Sequence, residues 1–293
     1  MNRTTKGDME ITVARDAGYC FGVRDAVNMA YEAAQTYGTV YMLGDIVHNE
    51  QVVQDLAAAG TIVVNSIDDI PDGAPVLFRA HGTPVELWEQ VNAKGIRVID
   101  ATCPLVREIH DEVRKISSNG RQVIIIGDHG HDEVIGIASQ IANPIIIATP
   151  DEARELRKMK RAAVVSQSTQ MIENVQAIIN ILMTKVFDLH FVNTICFPTK
   201  RNHEQIKQLA TESDVMIVIG SFTSANSKRL TQLALERNPR SYQVTCGTDV
   251  DEKWFVEADK VGISAGASTP DYLIEEVKSR IEAIATASHA QVT

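Results

Sequence analysis

Long hydrophobic runs, basic side chains and aromatic residues are all scarce in this 293-residue sequence. No segment approaches the roughly 18 consecutive apolar residues of a membrane-spanning helix, and residues 1–10 lack the apolar core of a signal peptide. We therefore expect a cytoplasmic protein. With 28 Lys and Arg against 38 Asp and Glu, the net charge is −10, which argues against nucleic acid or a membrane surface as the main partner. A small ligand or a basic electron donor is compatible with this charge.

Cysteine is also scarce, with only four in the chain. A disulfide framework is not expected, and the thiols are better interpreted as ligands, nucleophiles or buried groups. Three of them, Cys20, Cys103 and Cys196, lie about one third of the chain apart, which suggests an internal repeat. Cys246 has no counterpart in this pattern, and we expect it to be structural.

The segments around the three cysteines share one order of predicted elements. Each cysteine follows a strand-like segment and precedes an amphipathic helical pattern. A second strand then ends at a glycine 24 residues after the cysteine, at Gly44, Gly127 and Gly220, and a third and a fourth strand follow. This order predicts an α/β fold of three pseudo-threefold-related units, each with a small, mostly parallel sheet. The predicted units are 11–102, 103–195 and 196–285, with tails at 1–10 and 286–293.

Polar residues follow the predicted strands at their carboxyl ends, where ligands bind in open parallel sheets. His48, His81 and His131 each lie in such a loop beside hydroxyl and amide side chains, and they could bind phosphate oxygens. If the units pack around a pseudo-threefold axis, the cysteines converge on one site surrounded by these loops. Glu133 lies in one of them, where it could deliver protons or be a helix-start carboxylate that interacts with the helix dipole.

Three converging thiolates are soft ligands that suit an iron–sulfur cluster, zinc or copper(I). A 4Fe–4S cluster held by three cysteines keeps one open iron, which could bind a substrate oxygen or pass electrons to it. Zinc would accept three cysteines and a histidine, but structural zinc usually uses close C-x-x-C pairs, and the sequence has none. Buried core thiols are the other alternative, which the equivalent positions in a repeat disfavour.

The motifs at these positions resemble one family, 4-hydroxy-3-methylbut-2-enyl diphosphate reductase, also called LytB. They follow the family's order from about residue 11 to residue 277, and nine motifs in order make the resemblance specific. The matching segments are Gly18-Tyr-Cys20-Phe-Gly-Val, Val47-His48-Asn49, Ala80-His81-Gly82, Asp100-Ala-Thr-Cys103-Pro-Leu-Val, Gly130-His131-Asp-Glu133-Val, Gln167-Ser168-Thr169, Thr194-Ile-Cys196, Asn226-Ser-Lys-Arg-Leu and Ala265-Gly-Ala-Ser268-Thr-Pro-Asp.

The resemblance implies the last step of the methylerythritol phosphate route to isoprenoids. In that reaction two electrons and protons remove the allylic hydroxyl of the substrate and give isopentenyl and dimethylallyl diphosphate. By position, a 4Fe–4S cluster with one open iron would be held by Cys20, Cys103 and Cys196. Glu133 would be the proton donor, and the electrons would come from a ferredoxin or flavodoxin. The side chains implied to bind the substrate are His48, His81, His131, Ser168, Thr169, Ser224, Ala225, Asn226 and Ser268, of which His131, Ser168 and Thr169 would also take part in catalysis.

Several residues depart from the family's pattern. Ala225 replaces the second serine of a Ser-Ser-Asn run, which removes one hydroxyl donor to the diphosphate. Ser168 replaces a more usual threonine and keeps the hydroxyl. His129 is an extra imidazole close to the site, and Phe197-Pro198 after the third cysteine leaves the start of that helix open.

Two other functions remain open from the residues. Quinolinate synthase or a hydro-lyase also has a three-cysteine cluster, which acts as a Lewis acid without net reduction. The His131-Asp-Glu133 and Ser268-Thr-Pro270 loops favour the reductase over these enzymes. A zinc-stabilised protein that senses a phosphorylated metabolite would bind a ligand without turnover.

Overall fold

The structure is a computed structural model that describes residues 9–290, with twelve strands and ten α-helices in that range. The strands are β1 (Glu10–Val13), β2 (Val40–Leu43), β3 (Thr61–Val64), β4 (Val76–Phe78), β5 (Val98–Asp100), β6 (Gln122–Ile126), β7 (Ile145–Ile147), β8 (Met159–Ser166), β9 (Val186–Phe191), β10 (Val215–Ile219), β11 (Ser241–Val244) and β12 (Lys260–Ala265). The helices are α1 (Phe21–Tyr37), α2 (Glu50–Ala59), α3 (Val85–Ala93), α4 (Pro104–Ser118), α5 (Asp132–Ala138), α6 (Pro150–Glu155), α7 (Ile172–Leu182), α8 (Phe197–Glu212), α9 (Ala225–Leu235) and α10 (Asp271–Ala290). Among these described helices, none combines the length and the apolar character that a bilayer crossing needs. The cytoplasmic location stays a prediction.

The strands form three four-stranded sheets in which every pairing is parallel. Their orders are β3-β2-β4-β5, β7-β6-β8-β9 and β11-β10-β12-β1. The strand order is the same in all three sheets. In each repeat, the second strand lies between the third strand on one side and the fourth strand on the other. The predicted α/β fold with three small parallel sheets is confirmed. Its arrangement around a central cluster stays a prediction.

Each sheet takes its last strand from the following repeat. The strand that precedes Cys103, β5, pairs with β4, and the strand that precedes Cys196, β9, pairs with β8. In the third sheet this place is taken by β1, which pairs with β12, with Ile11 opposite Val261. Residues 11–13 of the predicted 11–102 unit therefore belong to the sheet of the predicted 196–285 unit. The other boundaries of the predicted units stay predictions.

The chain divides into two compact units, of which the first contains residues 9–20, 48–50 and 197–290 of the described chain. Its sheet is β11-β10-β12-β1, and helices α8, α9 and α10 pack against strands of that sheet. Every residue of β10 is buried, as expected of a parallel strand that is covered by helices. The central core side chains are Val215, Ile217, Ile219, Ile263, Val277 and Ile281.

The second compact unit contains residues 21–47 and 51–196, with the other two sheets. In the sheet β7-β6-β8-β9, residues 123–126 of β6 and 162–166 of β8 are buried, and α4 packs on both strands and on α5. In the sheet β3-β2-β4-β5, the ring of Phe78 packs edge to face on that of Trp88 at 4.8 Å. Packing in these two sheets positions the strand ends, where the polar loops of the unit begin.

The helices after the three cysteines begin earlier than the sequence patterns indicate. The patterns start at Val23, Leu105 and about Lys200, whereas the helices start at Phe21, Pro104 and Phe197, directly after the cysteines. The predicted ends, Tyr37, Ser118 and Glu212, match the structure. At the end of the chain, α10 continues to Ala290, beyond the predicted limit at 285. Residues 1–8 and 291–293 of the predicted tails lie outside the described residues.

Candidate active site

The three repeated cysteines lie at the starts of three long helices. Because α1, α4 and α8 begin at Phe21, Pro104 and Phe197, each cysteine directly precedes a first helical residue. The unpaired N–H groups at a helix start favour negative charge, including that of a thiolate. All three cysteines are of intermediate exposure, and none is in a disulfide. Each is therefore placed to act as a thiolate ligand.

One backbone hydrogen bond fixes each cysteine in the same way. The N–H of the cysteine donates to the carbonyl of the second residue after a strand, and the three pairs are Cys20 with Ala267 (3.3 Å), Cys103 with Ala80 (3.0 Å) and Cys196 with Ser168 (3.0 Å). The residues that follow these acceptors are Ser268, His81 and Thr169. All three were predicted to bind the substrate. In every repeat, one hydrogen bond thus joins a predicted cluster ligand to a predicted substrate-binding loop.

Gly22 keeps space open beside one of the sulfur atoms. A Cβ at Gly22 would lie 2.4 Å from Sγ of Cys103, so any larger residue would displace that sulfur. The available donors are thiols in equivalent positions, and none of them is in a disulfide. This donor set fits an iron–sulfur cluster, whose irons prefer thiolate ligands.

In the second compact unit, Glu133 binds the loop that contains Ser168. The Glu133 side chain is only 2% exposed. Its Oε1 accepts a hydrogen bond from the N–H of Ser168 at 2.5 Å, and its Oε2 accepts one from Oγ of Ser168 at 2.7 Å. Glu133 lies in the first turn of α5 and not in a loop as predicted, so it is both a helix-start carboxylate and a partner of the predicted catalytic serine.

Ser168 connects Glu133 to one of the cysteines. Its N–H and hydroxyl both donate to Glu133, and its carbonyl accepts from the N–H of Cys196. The side-chain amide of Gln167 donates to Oγ1 of Thr169 at 3.1 Å. These contacts lie at the carboxyl ends of β6 and β8, where the strand order reverses, which is the place where open parallel sheets bind ligands.

Two of the predicted phosphate-binding histidines lie together in the same unit. The rings of His81 and His131 are 5.8 Å apart and nearly perpendicular. Nδ1 of His131 accepts the N–H of Glu133 at 3.1 Å, so the proton of a neutral His131 ring is on Nε2. An ion pair between Arg79 and Asp132, at 2.5 Å, holds the loop after β4 to the first turn of α5. His131 is thereby anchored to its own loop, and the ion pair joins that loop to the loop of His81.

In the first compact unit, the start of α9 contains buried polar atoms that have no hydrogen-bond partner among the described residues. Asn226 is 7% exposed, and both its Nδ2 and its Oδ1 are of this kind. Oγ of the fully buried Ser227 is another. Each such atom costs about 1–3 kcal/mol, so three of them side by side indicate a place for a polar ligand. Because this is also the positive end of a helix that is capped by Ser224, an anion is favoured.

Gly266 leaves room for the side chain of Ser227 to pack against its backbone. A Cβ at Gly266 would lie 2.2 Å from Oγ of Ser227 and 3.6 Å from Nδ2 of Asn226. Gly266 follows β12, whereas Ser227 and Asn226 follow the adjacent strand β10. The unpartnered atoms therefore lie at the point where the strand order of this sheet reverses, as Glu133 does in the other unit.

The loop that contains His48 is bonded to both neighbouring loops of the first unit. Oγ of Ser268 donates to the carbonyl of His48 at 3.2 Å. The carboxylate of Glu50 accepts hydrogen bonds from Oγ of Ser221 at 2.8 Å and from Oγ1 of Thr223 at 3.1 Å. Residues 48–50 are thus held beside the start of α9.

Three other residues noted in the sequence have local roles. Nε2 of His129 is 2.7 Å from the carboxylate of Glu152 at the start of α6. Ala225 is the first residue of α9 and is partly exposed. Cys246 lies just beyond the end of β11. Its Sγ is 3.0 Å from Oγ1 of Thr248 in a short 3₁₀ turn.

Comparison with known proteins shows which family the chain belongs to. The model of the family described as LytB protein matches residues 11–282. The chain belongs to the LytB family. The 4-hydroxy-3-methylbut-2-enyl diphosphate reductase of Geobacter sulfurreducens is 40% identical to it over 275 residues, which are 94% of this chain and 97% of the relative. The enzyme of the same name from Aquifex aeolicus is 38% identical over 281 residues, with 94% and 97% covered.

Two solved structures of LytB reductases resemble the chain along most of its length. One is described as (E)-4-hydroxy-3-methyl-but-2-enyl diphosphate reductase, the terminal enzyme of the non-mevalonate pathway. It is 38% identical with a TM-score of 0.71, and the match covers 94% of this chain and 99% of that one. The Plasmodium falciparum reductase is 26% identical with a TM-score of 0.89, covering 94% and 88%. Membership of the LytB family implies an iron–sulfur cluster.

Some residues around the candidate site carry no signal in the sequence. Ser227 stands beside Asn226 in a matched motif, but its importance depends on its complete burial, which a motif does not report. Gly22 acts through the absence of a side chain near Cys103. His110 is different, because the helical pattern of α4 places it among apolar positions and so predicts its burial.

His110 lies buried against the loop that contains His81. It is 7% exposed, and its Nε2 has no hydrogen-bond partner in the part of the chain that the structure describes. A Cβ at Gly82 would lie 3.0 Å from that nitrogen. Burial, followed by the charge of Arg114, lowers the pKa of His110 from 6.5 to about 4. At neutral pH, His110 is therefore an uncharged ring that supports the turn after His81.

We expect the protein to lose stability between pH 7 and pH 5, with about 2 kcal/mol of the loss due to His110. The unfolded chain protonates this histidine near pH 6.5, whereas the folded chain does not do so until about pH 4, so acid favours unfolding. The substitution His110→Phe keeps a ring of similar size and should remove this part of the loss. Urea unfolding at both pH values measures it, with the exposed His190→Phe as the control. An equal loss in the parent and in His110→Phe would contradict the assignment.

Proposed function

We propose that this chain catalyses the two-electron reductive dehydroxylation of (E)-4-hydroxy-3-methylbut-2-enyl diphosphate. The allylic C–O bond breaks, the allyl group gains two electrons and one proton, and the hydroxyl group takes a second proton and leaves as water. The products are isopentenyl diphosphate and dimethylallyl diphosphate, at the last step of the methylerythritol phosphate pathway. Membership of the LytB family and the names of the similar reductases support this function.

The observation that carries the proposal is the hydrogen bond from each cysteine N–H to a strand-end loop. It occurs in all three repeats. In each, the residue whose carbonyl accepts the bond directly precedes a proposed substrate contact, which is Ser268, His81 or Thr169. One peptide unit then lies between the bonded carbonyl and each proposed substrate contact, so ligand and substrate positions are fixed together. Preorganised geometry of this kind is what a reaction between a bound substrate and a bound cofactor requires.

We infer that Cys20, Cys103 and Cys196 hold a 4Fe–4S cluster. Their equivalent places at three helix starts and the space that Gly22 leaves for the sulfur of Cys103 support this ligand set. When bound, such a cluster supplies electrons one at a time and offers one iron without a protein ligand to the allylic oxygen. The single electrons would come from a ferredoxin or flavodoxin.

The diphosphate has a suitable set of donors in the loops. The unpartnered side-chain atoms of Asn226 would gain hydrogen bonds to a ligand, and the start of α9 favours its negative charge. Nε2 of His131 can donate, because Nδ1 already accepts a backbone N–H. The full proposed set of diphosphate contacts is His48, His81, His131, Ser224, Asn226 and Ser268, with Ala225 in the same loop and with Ser168 and Thr169 near the hydroxyl.

Glu133 is the proposed proton donor. When protonated, it can pass its proton to Oγ of Ser168, to which it is already hydrogen-bonded at 2.7 Å. Ser168 then releases its own hydroxyl proton toward the substrate and the adjacent Thr169. Since Glu133 is 2% exposed, bulk water does not compete for this proton.

The reaction is tested with protein purified without oxygen. It is incubated with the substrate and reduced methyl viologen, and iron content, dye oxidation and products are recorded together. We expect about four irons per chain and dye oxidation that depends on the substrate. Intact iron without dye oxidation would replace the reductase by a non-redox cluster enzyme. No iron after reconstitution would overturn both functions.

Glu133→Gln should lower kcat by about 100-fold or more, since general acids contribute about 10²–10⁴ to rates. The amide keeps the shape of the side chain but carries no acidic proton, so iron content and KM should change little. Glu152→Gln is the matched control, because Glu152 is also a carboxylate in the first turn of a helix. Similar kcat losses in both variants would mean that Glu133 acts only as a helix-start carboxylate.

Ala225→Ser should lower KM by about 5- to 30-fold, which corresponds to about 1–2 kcal/mol from one added hydrogen bond. The new hydroxyl would stand between Ser224 and Asn226, at the start of α9. Steady-state kinetics with reduced dye measures the effect, and Ala225→Gly controls for changes of the helix start. An unchanged KM in the serine variant would show that Ala225 removes no contact to the diphosphate.

A further inference from the structure

The loop before Cys20 is attached to its sheet by backbone bonds that are longer at Gly18 and Cys20 than at Ala14. The N–H of Ala14 donates to the carbonyl of Ile263 at 2.7 Å, whereas that of Gly18 donates to Ala265 at 3.5 Å and that of Cys20 to Ala267 at 3.3 Å. The equivalent bonds of the other two repeated cysteines are both 3.0 Å. Of the three equivalent bonds, the one from Cys20 is the longest.

Side-chain contacts hold the same loop from its other side. The carboxylate of Asp16 accepts hydrogen bonds from Nε of Arg201 at 3.1 Å and from Nη2 of Arg201 at 2.5 Å. It also accepts one from Nε2 of Gln205, and the backbone N–H of Asp16 donates to Oε1 of Gln205 at 3.0 Å. We call these three residues, Asp16, Arg201 and Gln205, the Asp16 clasp.

The clasp makes more contacts than an isolated surface ion pair. An isolated exposed pair contributes little because two long side chains must be ordered for one contact in water. Here Arg201 makes a bidentate contact with the Asp16 carboxylate, and Gln205 bonds both the carboxylate and the backbone N–H of Asp16. The Asp16 side chain is 24% exposed. Charge-assisted bidentate bonds of this kind also fix orientation.

Two of the three clasp residues lie on a packed helix. Arg201 and Gln205 lie one turn apart on α8, whose Ile206, Leu209 and Ala210 are buried and which packs on β10 and β12. This helix begins directly after Cys196 in the chain. The clasp therefore ties the loop of one repeated cysteine to the helix that follows another.

We propose that Asp16 is a positioning residue for Cys20, acting through Arg201 and Gln205 to hold the sulfur where a cluster can bind it. This role rests on the proposed function, in which Cys20 is a cluster ligand. Asp16 is not among the proposed cluster ligands or substrate contacts. Its removal should loosen Cys20 and leave the other two cysteines in place.

The first test uses the full-length chain before cluster reconstitution. Alkylation rates of Cys20 and Cys103 by iodoacetamide are measured by mass spectrometry in the parent, Asp16→Ala and Arg201→Lys. We expect Cys20 to react about five-fold faster in Asp16→Ala, as for a local opening made easier by the loss of these bonds. The increase should be smaller in Arg201→Lys, which keeps the charge but not the two-pronged contact. Cys103 should not change.

The matched control is Asp188→Ala. Asp188 is also an aspartate held by arginine, because its carboxylate forms ion pairs with Arg121 at 2.9 Å and Arg161 at 3.3 Å. It should leave Cys20 at the parent rate. An unchanged Cys20 rate in both clasp variants would overturn the proposal. Equal increases at Cys20 and Cys103, or the same increase in Asp188→Ala, would also overturn it by showing general destabilisation.

The second test uses the reconstituted protein without oxygen. Iron release to a chelator should be about five-fold faster in Asp16→Ala than in the parent, with an altered electron paramagnetic resonance signal of the reduced cluster. A parent-like release rate and signal would overturn the role of the clasp at the cluster. If the parent itself binds no iron, the proposed function fails, and the alkylation rates still decide whether the clasp holds Cys20.

Discussion

The candidate site depends on one hydrogen bond that is made three times, from the N–H of a cysteine to a carbonyl just beyond a strand. Each cysteine ends one strand-to-helix connection, and each carbonyl belongs to the loop of the neighbouring strand. The bond therefore locks two loops that are far apart in sequence. Because the residue after the carbonyl is in each case a proposed substrate contact, the same bond would also fix the position of each proposed cluster ligand relative to that contact.

The strand order explains why the polar loops can perform this role. In every sheet the order reverses between the second and fourth strands of a repeat, which opens a gap at their carboxyl ends. Glu133 and Ser168 fill that gap with mutual hydrogen bonds. At the equivalent gap beside α9, Asn226 and Ser227 keep buried polar atoms without partners in the described chain. The fold gives up some stability there, and a bound anion would restore it.

Sequence spacing predicted much of this fold, because three equal distances from cysteine to glycine report a repeated strand–helix–strand unit. It could not predict that β1 completes the last sheet, since the choice of an edge partner depends on which strand the whole chain leaves unpaired. Glu133 was predicted as a site residue, but its two bonds to Ser168 depend on the distance between two loops. The Asp16 clasp and the unpartnered atoms of Asn226 depend on burial and side-chain direction, which no local pattern records.

The central claim is that the three repeated cysteines are equivalent and that the fourth is not. The most direct measurement is iron per chain, with the resonance spectrum of the reduced protein, after reconstitution without oxygen of Cys20→Ser, Cys103→Ser, Cys196→Ser and Cys246→Ser. The account predicts that each of the first three variants loses iron and the parent spectrum, while Cys246→Ser keeps both. A repeated-cysteine variant with parent iron and spectrum, or loss of iron in Cys246→Ser, would contradict it.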